Sequence, residues 1–118
     1  MEVETKGKDP NSRDSDGEEL KLGGNIVLVG FSLDPAEMII VKKIVGHYAK
    51  RISEQIEYSE IKITLKQSQK QQAFLHELSV KVTTNKDSLH ANKQDKNIYS
   101  GLSDALEAIY NQAQHQGK

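Results

Sequence analysis

Five side chains on one segment define the chemistry open to this chain. Lys42, Lys43, His47, Lys50 and Arg51 fall close together, and on a helix they share one arc. Four are fixed cations at neutral pH, and the fifth is an imidazole. Such an array can neutralise phosphates, with binding that weakens steeply as salt rises. The plainer alternative is an ordinary solvated helix face. Five basic or titratable groups against one acid, Glu54, favour function.

Nothing beside them completes a catalytic set. The chain has no cysteine, so thiolate nucleophiles, disulfides and cysteine-ligated zinc are excluded. Gly23-Gly24 precedes the first apolar strand instead of following it, so no phosphate-cradling loop forms there. No nucleophile elbow or Ser/His/Asp arrangement can be argued from spacing. Asp104 and Glu107 are three apart, as is common on a solvated helix face. No His/Asp/Glu cluster has metal-ligand spacing, so neither metal nor cofactor is expected. The expectation is a protein that is not an enzyme.

The elements that must position these cations follow from the apolar pattern. Ile26-Val27-Leu28-Val29-Gly30-Phe31 reads as a strand. Asp34-Pro35-Ala36-Glu37 is a specific helix start: Asp34 caps, Pro35 suits the first helical position, and Glu37 completes a capping box. Val41, Ile44, Val45, Tyr48, Ile52 and Ile56 form the apolar stripe of that helix, which is expected to reach about Ile56. Ile61, Ile63 and Leu65 alternate with Glu60, Lys62, Thr64 and Lys66, the period of a half-buried strand. A polar loop is expected from Gln67 to Gln72. A second alternating strand carries Phe74, His76, Leu78, Val80 and Val82 on one side.

A turn over Thr83–Asp87 follows, with Asn85 suited to positive φ. Ser88 to about Lys93 reads as an edge strand, guarded against edge-to-edge pairing by Lys93 and its polar neighbours. The last helix starts at the capping residue Asn97, buries Ile98, Leu102, Ala105, Leu106 and Ile109, and is expected to fray from Gln112. Gly101 inside it implies close approach to the sheet. The expected fold is α+β: a two-layer sandwich in the order β-α-β-β-β-α, with two helices on one face of a four-stranded sheet.

Residues 1–24 are polar, carry seven acids against four bases, and are read as a disordered acidic tail. The domain is expected to fill 25–118. There ten acids face twelve bases, a mildly basic balance that permits nucleic-acid binding. No apolar run is long enough to span a bilayer, and the N-terminus lacks an apolar signal region. A cytoplasmic protein with no membrane and no small-molecule partner is the default.

One join is more specific. Leu89-His90-Ala91, five residues, then Asn97-Ile98-Tyr99 opening an alanine-bearing helix resembles the ribosome hibernation-promoting factor family, also called ribosome-associated inhibitor or protein Y. The first helix, with Lys42-Lys43 and Tyr48, also resembles the family's, Glu60-Ile61-Lys62-Ile63-Thr64-Leu65 is similar to its second strand, and the resemblance spans about 25–112. It implies a stress-response protein that binds small-subunit rRNA without catalysis and blocks translation. It also makes Lys86, His90, Lys93 and Lys96 candidate RNA contacts; Lys66 is a further candidate on the wet strand face. Two departures stand out. The second helix ends without the family's basic stretch, and the acidic N-terminus is not part of the family pattern.

Lys62 and Lys66 project from the wet face of their strand, where Lys81 of the next strand could extend a basic stripe with them. Glu60 and Glu77 dilute it, so a solvated face is favoured. His76 is read as a satisfied histidine, and Tyr99 as packing. Tyr58 and Phe74 are too scattered for a base-stacking platform. Two other readings stay open. One is a protein-interaction module of the same fold, docking through the edge strand or second helix. The other is a generic double-stranded RNA binder. One continuous positive groove joining the first helix to the edge strand would favour RNA; isolated lysines would favour a protein partner.

Overall fold

The computed structural model describes residues 18–70 and 73–116. Its order is β1 (Glu19–Leu22), β2 (Ile26–Val29), α1 (Pro35–Ser53), β3 (Glu60–Lys70), β4 (Ala73–Thr83), β5 (Ser88–Asp95) and α2 (Ile98–Gln116). The five strands form one sheet in chain order. β2 and β3 run parallel, joined by α1, and every other pairing is antiparallel. The α+β class and the two helices are as expected; the four-stranded sheet is not.

The additional strand is β1, which pairs Leu22 with Ile26 and Glu19 with Val29. Its residues belong to the stretch read as a disordered tail. The correction has a local cause. Gly24 and Asn25 both take positive φ, +73° and +64°, the handedness a tight hairpin connection needs. Gly23-Gly24 is therefore part of a turn and not the end of a linker. Residues 1–17 lie outside the described residues, as does the disorder expected of them.

The Asp34 capping box is present in both directions. Glu37 N–H donates to Asp34 Oδ1 (2.8 Å) and Asp34 N–H to Glu37 Oε1 (3.1 Å). Helix α1 ends at Ser53, short of Ile56, with Glu54 as its C-cap. At α2, Asn97 Oδ1 accepts from the N–H groups of Tyr99 and Ser100. Far from fraying at Gln112, α2 continues to Gln116, because Ala113 is fully buried. In the Thr84–Asp87 turn it is the Thr84 hydroxyl that caps the Lys86 and Asp87 N–H groups. Among the described non-glycine residues only Asn25 has positive φ, so Asn85 does not take that role.

Both helices cover one sheet face. Leu28, Ile61, Ile63, Leu78, Val80 and Val82 meet Val41, Val45, Ile52, Leu102, Leu106 and Ile109 in a single core. α2 packs over β4 and β5 and beside α1. A Cβ at Gly101 would lie 2.8 Å from Leu78 Cδ1 and 3.1 Å from Asp95 Cβ, which is the close approach its position implied. No helix among the described residues is long and apolar enough to cross a membrane.

Candidate nucleic-acid interface

Helix α1 buries Val41, Val45, Ala49 and Ile52, and this fixes which side faces out. Lys42, Lys43, His47 and Lys50 are all exposed on that outer side. Ile39 and Ile40 lie beside them, 57% and 43% exposed.

Arg51 departs from the expectation. It is half-buried and turns toward α2, its guanidinium carbon 4.2 Å from the Tyr110 ring centroid and 5.8 Å from that of Tyr48. Stacking on an aromatic face stabilises a guanidinium while keeping it out of bulk water. Tyr48 donates its hydroxyl proton to Glu107 Oε1 at 2.8 Å, and Gln114 Nε2 donates to the Tyr110 oxygen. Arg51 is thus part of a polar seam between the helices, as is Glu107, which the spacing had placed on a solvated face.

Burial raises the Tyr48 pKa above its ordinary value, and the hydrogen bond and charge of Glu107 raise it further. A tyrosine raised in the folded state contributes stability that is whole below pH about 10 and decays as pH climbs through the folded value. Tyr48→Phe is expected to cost about 1 kcal/mol at neutral pH and to remove this share of the alkaline loss. Urea titrations at pH 7 and 10.5 check both. A wild-type pH dependence retained by the variant would rule Tyr48 out as its source.

The other predicted contacts are scattered. Lys86 sits in the Thr84–Asp87 turn, Lys96 lies just before α2, and Lys93 pairs with Leu78 at the end of β5; all three are exposed. Lys66 pairs with Glu77, so its charge faces a carboxylate across the ladder. His90 pairs with Lys81 on the open face of the sheet, the face without helices. Because α2 lies beside α1 and over β5, it stands between the α1 cations and the edge strand. They do not form one continuous groove.

The stripe of Lys62, Lys66 and Lys81 that the sequence discounted is a row on the open face with a different third member. Lys62 pairs with Lys81, and Lys81 with His90, so three basic or titratable side chains stand side by side on β3, β4 and β5. Alternation had placed Lys62 and Lys81 on the wet face, but only the register aligns them. The supposed six-residue loop concealed that register: the strands run on to Lys70 and resume at Ala73. A shallow groove of about 600 Å³ lies along the row, lined also by Thr64, Ser79 and Asn92. Among the described residues there is no cluster suited to a metal ion.

No family model matches the sequence, and no curated protein matches it. Solved structures do. The chain is similar to the N-terminal domain of Thermus thermophilus protein Y, with a TM-score of 0.53 at 12% identity over 77% of this chain and 92% of that one. It is similar also to a ribosomal subunit interface protein from Coxiella burnetii, with a TM-score of 0.51 at 12% identity over 77% and 93%. At that identity the match shows a shared fold. The fold that the Leu89–Tyr99 join implied is the fold the chain has.

Proposed function

We propose that this chain is a noncatalytic RNA-binding protein of the hibernation-promoting family, which associates with the small ribosomal subunit in the cytoplasm and inhibits translation. One observation carries the reading. The fold is that of protein Y's N-terminal domain and of a ribosomal subunit interface protein, and here its first helix presents four exposed basic or titratable groups. Side chains of that kind, placed on a rigid helix, bind a phosphate backbone through charge and not through base edges.

Cosedimentation with purified small subunits tests it. Three lysines contacting phosphates would lower affinity about forty-fold between roughly 50 and 200 mM salt. Failure to cosediment at the lower salt would refute the assignment. Exposed Ile39 and Ile40, and the separation of the α1 cations from the edge-strand lysines, support a second reading, in which α1 docks a protein partner. Cosedimentation that is indifferent to salt would favour it.

A further inference from the structure

We propose that the open face of the sheet is a second phosphate-binding surface, which takes an RNA backbone across Lys62, Lys81 and His90. It lies on the side of the domain opposite to α1. The chain can therefore hold two RNA segments at once, one against each face. The class of partner rests on the RNA-binding reading above; the site itself rests on the sheet register.

Two like charges directly opposite each other on neighbouring strands destabilise a sheet. Lys62 and Lys81 are such a pair, and the third member of the row is His90, not a carboxylate. Neither Glu60 nor Glu77 stands directly opposite a member of the row. Glu60 pairs with Thr83 one row away, while Glu77 pairs with Lys66 and accepts a hydrogen bond from Asn92. An anion laid along the row relieves the repulsion. Adjacent strands are about 4.8 Å apart, so the three heads span roughly 10 Å, enough for successive phosphates of one strand. Lys21 extends the row on the far side, since it pairs with Val27, which pairs with Lys62.

The neighbouring row supplies hydroxyl and amide groups: Thr64, Ser79 and Asn92. Asn92 Nδ2 donates to Ser79 Oγ at 2.7 Å, which fixes the floor of the groove. The residues lining it include no tyrosine, phenylalanine or tryptophan on which a base could stack. Recognition there is of the backbone and is blind to sequence, unlike an aromatic-bearing sheet.

The test uses the full chain and a fluorescent 20-nucleotide uridine RNA. Stoichiometry is read by sedimentation velocity, and affinity is measured at two salt concentrations. Wild type is expected to bind two oligonucleotides. The K62Q/K81Q variant is expected to bind one and to lose about 1.4 from its log–log salt slope, about seven-fold in salt sensitivity between roughly 50 and 200 mM. Far-ultraviolet circular dichroism confirms that it folds. Unchanged stoichiometry and slope in K62Q/K81Q overturns the proposal and leaves the α1 reading intact. Loss in K62Q/K81Q while K42Q/K43Q/K50Q binds normally supports the proposal and overturns the α1 reading. Polyglutamate that competes as well as RNA at equal charge overturns the proposal in favour of an acidic protein partner.

Discussion

Replacing Lys42, Lys43 and Lys50 together with glutamine is expected to lower the log–log salt slope of small-subunit binding by about 2.7, a loss of about forty-fold in salt sensitivity between roughly 50 and 200 mM. The three side chains are exposed on the outer side of α1 and make no part of the core. Lysine and glutamine have nearly equal helix propensity, so stability should move by less than about 0.5 kcal/mol. The change is therefore one of charge, read by cosedimentation at several salt concentrations beside a urea titration. Arg51 is left out on purpose. It stacks between the helices, so Arg51→Gln should reduce stability more than salt slope. A triple variant with the wild-type slope would show that α1 does not face phosphate.

Gly30→Ala is expected to cost about 3 kcal/mol of unfolding free energy, the sum of two penalties of roughly 1–2 and 1–3 kcal/mol. Gly30 has φ of +78°, a conformation a Cβ disfavours. Independently, that Cβ would lie 2.5 Å from the carbonyl oxygen of Leu65. The obstacle is backbone of a central strand, which cannot swing aside as a side-chain tip can. Gly46→Ala is the matched control. A Cβ there meets nothing within 4 Å in the middle of α1, so it should gain about 1 kcal/mol. Equal urea midpoints for the two variants would mean that the β2–α1 connection is not held as described.

Those two glycines also show what the sequence can and cannot reveal. Elements announced by local chemistry were legible: Asp34-Pro35 and Glu37 open α1, Asn97 opens α2, and alternation locates β3 and β4. Gly101 was readable as close packing because an interior helix glycine requires a reason. Strand β1 was not legible, since its two leucines lie in a polar, acidic segment and its turn looks like a linker. The site was harder still. Arg51 sits 100° from Lys50 on an ideal helix, and that rotation carries it from the outer arc to the seam. Lys62, Lys81 and His90 belong to three strands, and their alignment is a product of pairing, which no single-strand pattern contains.

The unequal lengths of β2 and β3 carry a last consequence. Val29 pairs with Thr64, and β3 then continues to Lys70 without a β2 neighbour. Among the described residues, the upper half of β3 leaves one flank of its amides and carbonyls open, a template on which another copy could polymerise. Every residue from Lys66 to Lys70 is hydrophilic, and that composition disguised it as a loop. The same hydrophilicity is what keeps so long a ribbon from seeding fibrils, so the tract's failure to look like a strand is the safeguard that lets it be one.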